Sequence, residues 1–491
     1  MLSRKENAMK KWQCLSTAMF LTLALGVGWA QDDGTQQPSE SSQQPADSTA
    51  PAPAFGQDNP RPQSSDNPPL SGLDTPSLEP HAAARSFLVP GVHVSQSVDS
   101  NVGGTSGNAA IHGVTRAMGS LMLQRLWSHY QTAFDYYGGA AFYTGFSKTS
   151  NQVHQLDAEQ RLMWRTGQLA LRDTFSYLPE GSFGYGAYGG AGAYQSGLGG
   201  LGGGIAGGAV SGIFGPGQLG SLGQQPRITN SAVADITESL TPRSSVTVAG
   251  GYGLVHFMGG NTGLIDSRQT SAQAGYNYQL NRKDQIALVY GFQDFHYPNI
   301  AGSSFTTHMG HVLYGHRISG RMDLLLGGGP QVTLINSPVL GSTRRISVSG
   351  RASVHYRFPR TSLGLTYDRL NTNGSGFFLG ATSDVVRFSV ARPVTRLWDV
   401  NGDVGYSRNS QLLPGTAGVG GVAAQSYQYL YAGGAAHRQL GRYLGLFLSY
   451  QFNDIAFDSS FCTPPGPCAN TSQRHVAAVG LDWHPRPIRL D

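Results

Sequence analysis

The sequence predicts an all-β fold, a transmembrane antiparallel β-barrel of about 18 strands with 16 as the alternative. Three observations carry this. Apolar and polar residues alternate with period two over segments too long for ordinary globular strands. The connections between these segments alternate between short and long. After the N-terminus, no run of 18 or more apolar residues offers a helical span.

The clearest segment is Arg345 to Phe358. Ile346, Val348, Gly350, Ala352, Val354, Tyr356 and Phe358 fall on one face, and Arg345, Ser347, Ser349, Arg351, Ser353, His355 and Arg357 on the other. Side chains on a strand alternate between faces, whereas a helix, with its period near 3.6, would mix the two sets. About 14 residues extend to roughly 45 Å, which exceeds a typical globular strand and suits a tilted membrane crossing with ends in water. The pattern returns at Leu444, Leu446, Leu448, Tyr450 and Phe452, and at Thr270, Ala272, Ala274, Tyr276, Tyr278 and Leu280. It recurs at Trp398, Val400, Val404 and Tyr406, set against Asp399, Asn401, Asp403 and Ser407. A soluble β-sandwich also alternates, but strands this long with so polar a second face argue against it.

The 491 residues include 13% charged side chains, 10% aromatics and 67 glycines. The mean hydropathy of −0.23 suits a barrel in which only alternate residues meet lipid. The net charge of +5 is uneven. Residues 1–30 carry about +3 and residues 31–83 about −7, which leaves about +9 on the strand-bearing part. Those arginines are spread over alternating strands with no recognition helix, so nucleic-acid binding is not indicated.

Residues 1–30 read as a secretory signal. Lys10 and Lys11 precede the apolar run Leu15–Val27, and Gly28-Trp29-Ala30 offers a cleavage site before Gln31. Met9 would serve equally as a start. Cys14 precedes the apolar run and so cannot be a lipoprotein anchor. Residues 31–84, rich in Gln, Ser, Pro and Asp, cannot bury enough apolar surface to offset ordering and read as a disordered periplasmic tail, a passive linker. The barrel is expected over residues 85–485, followed by a C-terminal tail, 486–491.

From Phe87 the expected strands are 87–98, 112–126, 131–145, 152–165, 167–178, 228–240, 244–258, 266–280 and 284–297. They continue as 304–317, 321–335, 344–358, 361–371, 378–393, 397–409, 425–439, 442–457 and 472–484. Leu240–Arg243, Asn281–Lys283, Ile318–Gly320, Pro359-Arg360, Val394–Arg396 and Leu440-Gly441 are short connections. Longer ones lie at 98–112, 178–228, 335–344, 409–425 and 457–472. Short periplasmic turns and long external loops are the habit of outer-membrane barrels, and an even strand number places both termini in the periplasm. Gly480 and Trp483 resemble the glycine and aromatic positions of the C-terminal insertion signal of such barrels, which would make the barrel-assembly machinery and outer-membrane lipid its partners.

Residues 85–485 resemble the uncharacterised porin-like outer-membrane β-barrel proteins of Gram-negative bacteria, some of which accompany exopolysaccharide and exosortase systems. The resemblance rests on the architecture and on the opening strand Phe87–Val102, which ends in polar residues. It implies fold and location, and no functional motif carries over with it.

Within the expected barrel, Arg345, Arg351, His355 and Arg357 line the polar face of one strand. Asp368 lies on the next strand, Arg387 on the one after, and Asp399 and Asp403 on the one beyond. Opposed basic and acidic rows across a lumen would select solutes by charge. The same residues could instead pair between neighbouring strands and stiffen the wall. The sequence leaves both open. Tyr185–Gln225, glycine-rich and uncharged, is either a flexible external loop or an inward constriction. Its glycine spacings lack the strand, helix and acid of a dinucleotide site. Cys462 and Cys468, flanking Thr-Pro-Pro-Gly-Pro in the last external loop, are expected to form a disulfide in an oxidising compartment and have too few companions to hold zinc. No metal, P-loop or nucleophile-elbow motif is present, so neither enzyme nor cofactor is expected. The reading that follows is passive diffusion of small hydrophilic solutes. The alternatives are an exopolysaccharide-export component, or a structural or adhesive barrel with a closed lumen.

Overall fold

The computed structural model describes residues 69–71, 86–104, 110–145, 150–178, 226–258, 264–300, 302–337, 341–412, 424–458 and 470–490. The expected signal, most of the N-terminal tail, the 185–225 loop and the Cys462–Cys468 pair lie outside them.

Eighteen long strands form one sheet. They are β1 (Phe87–Asp99), β2 (His112–Leu126), β3 (Tyr130–Tyr143), β4 (Ser150–Met163), β5 (Gly167–Leu178) and β6 (Arg227–Thr241). Next come β7 (Ser244–Phe257), β8 (Ser267–Gln279), β9 (Asp284–His296), β10 (Ser304–Ser319), β11 (Met322–Ser337) and β12 (Gly341–Arg357). The last are β13 (Ser362–Thr372), β14 (Ala381–Pro393), β15 (Trp398–Gln411), β16 (Ser426–Gln439), β17 (Leu444–Phe457) and β18 (Thr471–Trp483). Each pairs antiparallel with the next, and β18 pairs with β1 from Val92↔Trp483 to Asp99↔Val476, which closes the barrel. A two-residue β19, Ile488–Arg489, pairs with Phe87 and Leu88, so part of the expected C-terminal tail extends the wall.

The alternation sorts the two faces. Val92, Val94 and Val98 point outward and are about half exposed, while His93, Ser97 and Asp99 are buried inside. On β12, Ile346 and Val348 point outward, and Ser349 and Ser353 are buried toward the lumen. Trp127, Trp164 and Trp483 stand on the outer face near the short turns, where an interfacial aromatic belt would sit. Arg125 covers Trp127, and Trp164 donates to Glu238 at 2.7 Å. The short turns owe their geometry to local side chains. Asn281 Oδ1 accepts from the backbone N–H groups of Lys283 and Asp284, and Thr395 Oγ1 accepts from those of Leu397 and Trp398. Such Asx and Ser/Thr turns bring the chain back in the fewest residues.

Candidate functional site: the barrel lumen

The lumen wall is polar and its charges run in pairs between adjacent strands. The sequence-predicted residues divide as follows. Arg351 and Asp368 are directly opposite in the β12–β13 register, with Nε and Oδ1 3.3 Å apart. Arg387 on β14 donates through Nε to Asp403 on β15 at 2.9 Å. Arg345 donates to the carbonyl of Leu412 at 3.3 Å. His355 faces Asp323 across the β11–β12 register, and its Nδ1 has no hydrogen-bond partner among the described residues. Arg357 ends β12 half-buried at the short-turn end. Asp399, near the start of β15, is exposed and lies opposite His437. The structure thus brings together two Arg–Asp pairs, and leaves the other four residues spread along the wall.

Two further groups were not singled out from the sequence. On β4 to β6, Arg172 donates to Asp235 at 2.6 Å and lies 3.6 Å from Glu159, which also pairs with Arg161. At the closing seam, Arg474 Nε lies 3.0 Å from both carboxylate oxygens of Asp99, which also accepts from the Asn101 N–H. Both side chains are buried, and the pair ties the first strand to the last. Period-two alternation places each of these residues inside, but only strand register reveals the partner.

The seam carries a relay at its short-turn end. His93 Nδ1 lies 2.7 Å from Asp482 Oδ1, and its Nε2 lies 2.8 Å from Ser120 Oγ. With Nδ1 carrying the proton, His93 donates to Asp482 and accepts from Ser120. The order is that of a hydrolase triad, but the surroundings are not. Ser120 is buried against Gly91 and His484. The backbone of β1, β2 and β3 around it is committed to the ladder. His484, just past β18, is held below the ordinary histidine range by burial; His93 adds to the depression and Asp482 opposes it.

The long-loop end of the lumen is crossed by the connection between β13 and β14, residues 373–380, a segment the sequence reading passed over in favour of 185–225. It begins with a 3-10 turn at Gly374–Gly376, where Asn373 Oδ1 accepts from the Ser375 N–H at 3.0 Å. Gly374, Ser375, Gly376 and Gly380 all have positive φ, which bends the chain inward instead of letting it arch outside. A Cβ on Gly376 would meet the ring of Phe257 at 2.6 Å, so glycine is needed there on two counts. Phe377 and Phe378 pack with Tyr427, Tyr429, Ile455 and Phe457, and Leu379 with Phe295, Tyr297, Phe305, Ile335 and Leu412. Asn373 donates to Ser267 on β8 at 2.8 Å, and the Ile265 N–H donates to the Gly376 carbonyl at 2.9 Å. The segment therefore reaches from its own hairpin to strands on both sides of the lumen. Its glycine-rich motif, Asn373-Gly-Ser-Gly, is the one signal the sequence offers for it.

The opposite end holds Leu70 and Ser71, from ahead of the first strand. Asn277 Oδ1 accepts from the Ser71 N–H at 2.9 Å, and Gln273 Nε2 donates to the Ser71 carbonyl at 2.8 Å. A passive linker over 31–84 does not describe these residues: Ser71 is 2% exposed and Leu70 8%. Their backbone groups find partners in the wall, which the composition of the surrounding tail could not foretell.

No protein-family model matches the chain, and no curated protein matches it. Among solved structures it is similar to Pseudomonas aeruginosa OccK2 (OpdF) in complex with glucuronate, at 8% identity and a TM-score of 0.41, covering 83% of this chain and 98% of that one. It is also similar to the Pseudomonas aeruginosa outer-membrane protein opdK, at 10% identity and a TM-score of 0.40, covering 82% and 98%. The unliganded ferric citrate transporter FecA follows at 9% identity and a TM-score of 0.36, covering 77% of this chain and 61% of that one.

Proposed function

We propose that the protein is a porin-like channel of a bacterial outer membrane, narrowed at its long-loop end, that lets small hydrophilic solutes diffuse through its lumen. The observation that carries this is the closed wall whose outward side chains are largely apolar and whose inward face holds most of the buried polar and charged residues, several of them paired between strands. An apolar belt of this kind has to be covered by lipid, and a barrel of about 18 strands is wide enough to hold water unless a segment fills it. On this reading the short turns and both termini are periplasmic, and Arg345, Arg351, His355, Arg357, Asp368, Arg387, Asp399 and Asp403 set the field that a solute meets. Proteoliposomes that swell in small sugars and slow as sugar size rises would support the channel. Equal exclusion of every sugar would sink it.

One observation favours a second reading, a structural barrel with a closed lumen. Residues 373–380 are buried on both sides by aromatic packing. The same swelling assay separates the two.

A further inference from the structure

Apolar clusters interrupt the polar pattern of the lumen face, and one of them lies toward the short-turn end. Ala287 and Val289 on β9, Leu313 on β10 and Leu325 on β11 form an apolar cluster a few residues from the short turns. In a water-filled lumen such a patch would be left against solvent at a cost of about 25 cal/mol per Å². Leu70 covers it. Two glycines make the space. A Cβ on Gly315 would meet Leu70 Cδ2 at 2.7 Å, and one on Gly275 would meet Ser71 Cβ at 2.3 Å. Both lie on inward positions of their strands, where no turn requires a glycine.

Beside this pocket the wall reads the peptide backbone. Besides the contacts of Ser71 with Asn277 and Gln273, Thr247 Oγ1 lies 3.2 Å from the Ser71 carbonyl and 2.5 Å from Ser71 Oγ, and Asn277 Nδ2 donates to Ser71 Oγ at 2.6 Å. One residue thus has its N–H, its carbonyl and its hydroxyl all satisfied by side chains of β7 and β8. Unpaired backbone groups in a buried site would be costly, and here none is left over on Ser71. The pocket takes the Leu70 side chain, and the amides hold Ser71, which follows it.

We infer that β7 to β11 carry a binding site for a short peptide turn, that its occupant is the chain's own Leu70-Ser71, and that this docking restricts passage through the short-turn end of the lumen. The restricting role rests on the channel reading above; the seat itself does not. The contact lies outside the strand ladder, so its release leaves the hydrogen bonds of the wall in place.

Two readouts on the full chain test this separately. In a background with Cys462 and Cys468 replaced by Ser, Ser71→Cys with Thr247→Cys should form a disulfide, because the two hydroxyls already touch. In planar bilayers, Leu70→Glu should give larger open steps than the unaltered protein. So should Gly315→Val, which fills the pocket from the wall side and leaves the tail intact. Retained heat-modifiable gel mobility certifies that each variant folds. Failure of the disulfide in a folded barrel overturns the seat. A disulfide with unchanged steps in both variants overturns the restriction while the channel stands. A disulfide with no current in any form overturns the channel reading and, with it, the restricting role.

Discussion

At the long-loop end the lumen is crossed by aromatic side chains of the wall's own β13–β14 connection, whereas at the short-turn end it holds two residues from ahead of the first strand. The first contact is covalently continuous with the strands on both sides, and its Phe377 and Phe378 have aromatic ring centroids 5.3–5.5 Å away. The second rests on one leucine and a few hydrogen bonds. Burying a phenylalanine is worth about 1.5–3 kcal/mol, against about 0.5–1.5 kcal/mol for a hydrogen bond. The crossing segment is thus built into the fold, and the Leu70-Ser71 contact is the smaller of the two. The seam shows a related contrast. The charge pair Asp99–Arg474 fastens it at the long-loop end, and the Asp482–His93–Ser120 relay at the short-turn end.

The largest expected effect breaks the long-loop end. Phe377→Ala with Phe378→Ala should cost at least about 3–5 kcal/mol of local stability, the range for large-to-small core changes. Hydrogen exchange of the Leu412 N–H, which donates to the Gly380 carbonyl at 3.1 Å, should lose protection by a corresponding factor. Protection unchanged would mean that the aromatic cluster does not hold the crossing segment. Next comes the seam. Asp99→Ala strands a buried guanidinium and should lower barrel stability by about 3–5 kcal/mol, read as the urea midpoint of the reconstituted protein. A shift no greater than that of an exposed pair would show that water reaches Arg474.

The smallest effect concerns charge. Arg351 and Arg387 each offset an acid on the adjacent strand. Replacing Arg351, Arg357 and Arg387 with Gln together removes three positive charges and leaves Asp368 and Asp403 without these arginines, so the reversal potential under a salt gradient should move toward cation preference. The shift should be modest, since carboxylates shielded by the wall act weakly on ions in the lumen. An unchanged potential with conductance retained would assign these arginines to wall stiffness alone.

The barrel was legible in the sequence because its cause is local. Period two, as in Ile346, Val348 and Gly350, and the alternation of short and long connections need no tertiary knowledge. The inward direction of Arg351 or Asp403 followed from the same parity. Their partners depended on register: Arg351 meets Asp368 because β12 and β13 align there, and no spacing along the chain encodes that. The crossing segment escaped because positive φ at Ser375 and burial at Phe378 come from the strands it meets. Leu70 escaped for a similar reason: a single apolar residue in a polar tail acquires meaning only beside Val289 and Leu313.

Single-channel recording separates a water-filled channel narrowed by residues 373–380 from a closed barrel. The unaltered protein and a variant with Phe377, Phe378 and Leu379 all changed to Ser should be compared in planar bilayers at the same salt. The account predicts open steps in both, larger in the variant. Absence of current in both forms, with folded barrels confirmed by gel mobility, would contradict it and leave the closed structural barrel as the better description.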